Sequence, residues 1–418
     1  MTALGNKIKH QREAKGWNQK ELAEKADVSP ATISGVENGR FIPTPSVLYK
    51  IAAELGVKFS ELVETLPDPK LDTWLEIIPF YVRDHQYAAA LPLIHRLLTE
   101  YPHMHDVQRD HLICYEAIML GEWEQTRMQC IETLYALAFK WEGLAHTNPE
   151  FFVSIHNRLG ALWYQSLEFI TASHHYKRAL EVLKSFPSAQ DHYRVATIQF
   201  NLGDCLRWLG QDQEAIQYLE KALPYFQEQR IAKGVGGCYF ALGMCYKNLG
   251  EFSKAVLMFQ QAAPHVEEAN LKWYAVRCRS YSRFFSPELH EDAIEVLKEE
   301  LQELRTMMRP GDVATTKSRI AKLHLDRHQF PEAKAMLDQA ENHLSELKPD
   351  EHRAYFLLAK ALYHFALGDF DTASQYAFEA VDLYAVLRTF HSELQEALRI
   401  SQESVLKLRE SYEQKKRP

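Results

Sequence analysis

Three stretches of this chain are variants of one another. LGALWYQSLEFITASHHYKRAL (159–180), LGDCLRWLGQDQEAIQYLEKAL (202–223) and LGMCYKNLGEFSKAVLMFQQAA (242–263) each open on Leu-Gly, and each carries a small residue past the middle and an Ala near the end. With the small residue of the second half as marker, the series runs Ala90, Thr126, Ala172, Ala215, Ala255, Ala293, Ala333 and Ala373. Repeats with a period of roughly 40 residues exclude most globular folds. Each unit reads as a helix pair, and one pair cannot bury its own apolar face, so the units must stack. The small residues mark where paired helices approach closely. Residues 392–418 read as a polar capping helix and tail that close the stack.

The length, 418 residues, demands more than one folding unit in any case. With 17 glycines and 17 prolines in that length, the composition favours an all-α protein. Turns such as Gly121-Glu122-Trp123, Gly250-Glu251-Phe252 and Gly368-Asp369-Phe370, followed by Ala or Thr, resemble those of tetratricopeptide repeats, though the period is longer than the ~34 usual for them. That resemblance implies a right-handed α-superhelix over residues 72–391, of about eight helix pairs, with the first helix of each pair lining a concave wall.

The front of the chain reads differently. In NQKELAEKADVSPATISGVENGR (18–40), Asn18 caps a helix carrying Leu22, Ala23 and Ala26 at helical spacing, and Asp27-Val28 makes a turn. Ser29 caps a second helix with Pro30 at its first position, Ile33 and Val36 face inward, and Gly39 ends it. Helices at residues 4–15 and 45–55, the latter capped by Thr44 and stopped at Gly56, and a short one in KFSELVETL complete a five-helix domain over 1–66. Its core residues all precede Leu66, so it is expected to fold alone, with a linker at 67–71 marked by Pro67 and Pro69. Gln19, Leu22, Ala23, Val28, Ser29, Ile33, Ser34, Glu37 and Gly39 match the pattern of the Xre/Cro-type helix-turn-helix, which it resembles. The resemblance implies that the second helix enters the major groove of double-stranded DNA. It places Gln19, Asn38 and Arg40 on phosphates and Ser29, Pro30, Ala31, Thr32 and Ser34 near base edges. This helix is poor in long hydrogen-bonding side chains, and Gly35 stands where many relatives carry one. Little sequence discrimination per head is therefore expected. Charge agrees with the division of labour. The net charge is −8, yet residues 1–66 hold nine Lys/Arg against eight Asp/Glu, so the acidic excess lies in the repeats.

Register on Leu159, Leu202 and Leu242 puts Asn157, Arg158, Tyr164, Asn201, Asp204, Arg207, Lys247 and Asn248 on the inner wall, with Arg279, Arg319 and Lys322 further along. Amide side chains can both donate to and accept from an extended peptide, and cations can take a carboxylate. Each has the plainer alternative of a solvated face or an intra-repeat bond. His103, His105, Asp106 and His111 look like a metal cluster but lack a second group to complete it, so loop histidines are the better reading, and the same holds for His174-His175. The six cysteines form no C-x-x-C pair and read as buried, reduced thiols. No nucleophile–base pair, phosphate-cradling loop or zinc signature is present, so neither a cofactor, a metal nor catalysis is expected. Without an apolar leader or a bilayer-length run, a cytoplasmic, non-membrane protein is expected.

A head of this kind followed by such an array resembles the RRNPP family of peptide-pheromone receptors (Rap, Rgg, NprR, PlcR, PrgX), most closely the NprR branch. The resemblance implies a bacterial quorum-sensing transcription regulator, a homodimer or tetramer, whose array binds a short signalling peptide and thereby resets the spacing of its DNA heads. The alternative is an adaptor whose array sequesters a response regulator of a sporulation phosphorelay. A repressor answering to some other protein partner is a third reading.

Overall fold

The computed structural model describes residues 2–66, 70–122, 124–186, 191–286, 293–344, 351–387 and 391–415, and among them the regular elements are all helices. Trp123 of the expected Gly121-Glu122-Trp123 turn, and Pro67 and Pro69 of the expected linker, lie outside the described residues. The chain forms two compact units, Met1–Leu162 and Trp163–Pro418.

The first unit begins with α1 (Ala3–Ala14), α2 (Gln19–Lys25), α3 (Pro30–Glu37), α4 (Pro45–Leu55) and α5 (Phe59–Val63). Their boundaries follow from the caps. Asn18 and Glu21 form a reciprocal capping box at α2, Ser29 Oγ accepts from Thr32 N at α3, and Thr44 does the same for α4. Gly39 and Gly56, at φ +71° and +69°, turn the chain out of α3 and α4 through the left-handed region. A buried ion pair binds α3 to α1. Arg12 Nε and Nη2 donate to the two carboxylate oxygens of Glu37 at 2.6 and 2.9 Å, Gln19 Nε2 adds a third bond at 2.8 Å, and Arg12 Nη1 caps the Trp17 carbonyl.

The unit continues with α6 (Leu71–Arg83), α7 (Tyr87–Glu100), α8 (Asp106–Leu120), α9 (Glu124–Trp141) and most of α10 (Pro149–Gln165). Here one expectation fails. The core of the head does not close before Leu66, because a single buried cluster runs from Leu4 and Ile8 through Leu48 and Phe59 to Ile77, Ile94 and Met119. Tyr49 stacks on Phe80 at 4.8 Å, and Phe59 packs edge-on against Tyr81. Five short helices leave these aromatic faces of α4 and α5 uncovered, and α6 covers them.

The second unit contains α11 (Phe169–Ser185), then α12 (His192–Trp208), α13 (Asp212–Glu228), α14 (Ala232–Asn248), α15 (Phe252–Glu268), α16 (Lys272–Phe284), α17 (Ala293–Thr306), α18 (Pro310–Asp326), α19 (Phe330–Leu344), α20 (Glu351–Ala366), α21 (Phe370–Leu387) and α22 (His391–Lys415). Successive helices pack as hairpins, and α22 packs on α20 and α21 and reaches α14. The marker residues do what their spacing implied: Ala172, Ala215, Ala255, Ala293, Ala333 and Ala373 are all completely buried, as is Ala90 in the first unit. Thr126, the exception, turns its hydroxyl onto the Leu120 carbonyl. The opening glycines serve the same close approach, since a Cβ on Gly203 or Gly243 would press into Leu219 or Phe259 at 2.8 and 2.7 Å.

Candidate DNA-binding face and inner wall of the repeats

On the head, Ser29, Pro30 and Ala31 are exposed at the start of α3, Thr32 and Ser34 are half-buried, and Asn38 and Arg40 are exposed at its end. Ser29 and Thr32 bond each other through their hydroxyls at 2.8 Å, and Asn38 Nδ2 bonds back to the Ser34 carbonyl. Arg40 has no ion pair or side-chain hydrogen bond among the described residues, which leaves its five donors for a phosphate. Gln19 differs from its expected role: its amide nitrogen is committed inward to Glu37, where it holds the end of α3. Gly35 has a steric reason. It is buried under the ring of Phe41, and a Cβ there would lie 2.3 Å from a ring carbon. Phe41 and its neighbour Ile42 are nonetheless 48% and 52% exposed, a bulky apolar pair beside α3 that reading by motif did not single out.

The repeat candidates divide in four. Asn157 and Arg158 belong to the first unit, where Arg158 Nη2 bonds the Ile118 carbonyl and Glu122 at 2.6 and 2.8 Å, tying α10 to the end of α8. In the second unit Tyr164 donates to Asp204 and accepts from Trp208 Nε1, while Arg207 pairs with Asp204 at 2.7 Å and stacks over Trp208. This closed network is the interior of a hairpin junction. Burial, helped by the charge on Asp204, holds the Tyr164 hydroxyl well above its ordinary pKa. Asn248 donates to Asp212 at 3.1 Å, and Asn201 is half-buried. Arg279 points outward instead, pairing with Glu303 at 2.9 Å on a solvated surface.

The remaining three, Lys247, Arg319 and Lys322, lie on a wall that also includes groups missed by the sequence register. Arg277, Tyr281, Thr315, Arg319, His352 and Tyr355 line one cleft across α16, α18 and α20. Arg319 stacks on the Tyr281 ring at 4.1 Å and donates to Ser280 Oγ, and Thr315 bonds His352 Nδ1 at 2.8 Å. Arg277 lies 3.8 Å from Asp312. Burial pushes the Tyr281 hydroxyl up, but Arg319, Arg277 and Lys247 more than offset this and hold it below its ordinary value. Arg277 and Tyr281 share a helix face at i, i+4, a signal present in the sequence. It was hidden because α16 lacks the Leu-Gly that fixed the register elsewhere.

Residues 8–62 match the helix-turn-helix family model, and residues 152–228, 194–268 and 318–386 match tetratricopeptide-repeat models. An uncharacterized HTH-type transcriptional regulator of Methanocaldococcus jannaschii is 37% identical over 59 residues, covering 14% of this chain and 89% of that protein. The chain belongs to the helix-turn-helix family. The first curated relatives are matched over 37–38% of their own length, all within the head. Among solved structures, a Rap protein complexed with competence and sporulation factor superposes with TM-score 0.55 at 15% identity, over 81% of this chain and 99% of that one. The apo quorum sensor NprR from B. thuringiensis gives TM-score 0.53 at 14% identity, over 84% and 100%. The chain thus shares its fold with these two proteins.

The chain thus carries a helix-turn-helix domain followed by tetratricopeptide repeats. The chain carries six cysteines. All six are buried and free, and burial pushes the thiols of Cys114, Cys238 and Cys278 up to about 12, too high for a reactive thiolate. His111, from the apparent cluster near Pro102, rests its ring on Phe151 at 4.0 Å. No helix of the described residues is long and apolar enough to cross a membrane.

Proposed function

We propose that this protein is a quorum-sensing transcription regulator that binds an operator through its head and is switched by a short signalling peptide held on the inner wall of the second unit. The observation that carries the reading is that wall. Lys247, Arg277, Arg319 and Lys322 gather with Tyr281 and Tyr355 on the first helices of four consecutive hairpins of a net-acidic body. Cations and aromatics in a row suit an extended peptide with an acidic group. The fold shared with NprR, named a quorum sensor, and with a Rap protein complexed with competence and sporulation factor supports it. Peptide binding would act through homo-oligomer geometry, since paired heads read half-sites about 34 Å apart.

DNA affinity and particle mass, measured with and without a synthetic peptide encoded by a short reading frame beside the gene, test this directly. A peptide that binds yet leaves both unchanged would sink the switch. For the head, Arg40→Ala should weaken binding to every duplex alike and flatten the salt dependence by about one unit of slope. An unchanged slope would remove Arg40 from the phosphate contacts.

A second reading has its own observation. On α9 of the first unit, Met128, Tyr135 and Phe139 stand 55%, 39% and 88% exposed at spacings that share one helix face. An apolar stripe of that kind suits a protein partner, and a purified response regulator of a phosphorelay is the one to try. If Phe139→Ser does not alter its binding, the stripe is not the contact.

A further inference from the structure

The inner wall is not open along its whole length. Lys247, in the middle of the second unit, is 1% exposed, and its ammonium lies 2.5 Å from Glu393 Oε1, on a helix 146 residues later in the chain. One turn further along α22, both oxygens of Glu396 accept from Lys322 Nζ at 2.9 Å. The two carboxylates are three residues apart on one face of α22, while the two lysines come from α14 and α18. Glu393 also lines the cleft formed by Arg277, Tyr281, Arg319 and Tyr355, and the space left there is about 20 Å³. That admits one or two water molecules and no peptide side chain.

We propose that the first turn of α22 is a built-in acidic occupant of this wall, with Glu393 seated on Lys247 and Glu396 on Lys322, and that an incoming acidic peptide takes over these two seats. The inference rests on the peptide-binding reading of the wall and specifies its ligand: a peptide presenting two carboxylates, from acidic side chains or from one side chain and its C-terminus. A buried ion pair between distant helices is a poor device for stability, because desolvation offsets much of the attraction, and its best-attested use is to fix a register or a switch. The packing of α22 allows such a release. Its buried residues begin at Ala397, followed by Ile400, Ser401 and Ser404, whereas Ser392 to Glu396 are half-buried or exposed, and of these only Leu394 packs on the apolar core that α20 and α21 share. The first turn can unwind while the rest of α22 stays on α20 and α21.

The test uses the full chain, wild type and Glu393→Gln/Glu396→Gln, with a fluorescein-labelled synthetic peptide of residues 391–400, HSELQEALRI, as probe. The probe should bind the double variant at least tenfold more tightly than the wild type, and a probe with both Glu changed to Gln should lose that gain. Hydrogen exchange should quicken about tenfold in the variant at 395–398, whose amides bond back to the first turn, with 401–412 unchanged. Should the double variant not fold, Glu396→Gln alone, whose pair with Lys322 is only half-buried, serves in its place. Equal probe affinity for both chains, or unchanged exchange at 395–398, overturns the occupant. The two readings fail separately. If a random peptide library yields binders whose affinity the double substitution leaves alone, only the occupant is lost. If it yields no binder to either chain, the wall itself is not a peptide site.

Discussion

Single residues decide how firmly the recognition helix is held and how the repeats respond to pH. Glu37 is 2% exposed, and three of the bonds to its carboxylate come from Arg12 and Gln19, on α1 and α2. Arg12→Ala would strand that charge in the core, so a loss of about 3–5 kcal/mol is expected, more than an isolated surface pair could give. Urea denaturation followed at Trp17 measures it, and a loss below about 1 kcal/mol would mean that Glu37 finds other partners. Glu300 presents the opposite case. It is 3% exposed, with the Ser280 hydroxyl and the guanidinium groups of Arg279 and Arg319 acting on its carboxylate. Burial pushes its pKa up to about 8, against the pull of Arg279 and Arg319. The folded chain therefore holds a proton that the unfolded chain gives up near pH 4.5. Stability from this group is intact below that value and is lost as pH rises to about 8, by on the order of 5 kcal/mol. Glu300→Gln should raise the melting temperature at pH 8.5 and leave it nearly unchanged at pH 5. Equal shifts at both would show that Glu300 is already ionised. Neither role was legible in advance. Glu37 stood out as a motif match without a reason, and Glu300 looks like any acid on an amphipathic helix until its burial is known.

At the scale of elements the turns explain the pattern of glycines. The residue that ends the first helix of a hairpin adopts positive φ in Gly210, Gly250 and Gly368, at +69°, +77° and +77°. The same place is filled by His85, Leu167 and His328, at +54°, +62° and +56°. A left-handed conformation costs a side chain about 1–2 kcal/mol, which glycine avoids. Leu167 is 60% exposed, so its side chain recovers little by packing. Leu167→Gly should then stabilise the second unit by about 0.5–1 kcal/mol, with the gain reduced by the greater freedom of glycine in the unfolded chain. Thermal melting reads this, and a lower melting temperature would mean that the Leu167 side chain is a real contact. The repeats were legible because Leu-Gly, the turn glycine and the buried alanine recur at fixed offsets. The inner wall was legible only as far as that register holds. In α16 the Leu-Gly is missing, so Arg279 was chosen where Arg277 and Tyr281 face the cleft, and no local pattern could pair Lys247 with Glu393 across 146 residues.

At the scale of the molecule, the boundary between reader and sensor is less sharp in space than in sequence. Motif and composition change near Leu66, but the apolar core of the head continues into α6, α7 and α8. Hydrophobic burial is set by which faces remain uncovered, and the pattern of one segment does not record what another will cover. On the proposed reading, a head whose core is shared with the helices that follow it would not respond to an operator as an isolated domain does, so its DNA and peptide affinities are expected to be linked. Linkage makes this a strict test. If a wall-binding peptide changes affinity for a selected operator duplex by some factor, saturating duplex must change the peptide affinity by the same factor. A coupling of about 1–3 kcal/mol, or roughly 5- to 150-fold, would suffice to switch a promoter. Calorimetric titration of the full chain with peptide, with and without duplex, together with duplex titration with and without peptide, closes the cycle. Matching factors in that range support a peptide-switched regulator. Factors within about twofold of unity on both arms would mean that head and array bind independently, and the array would then answer to a partner in its own right.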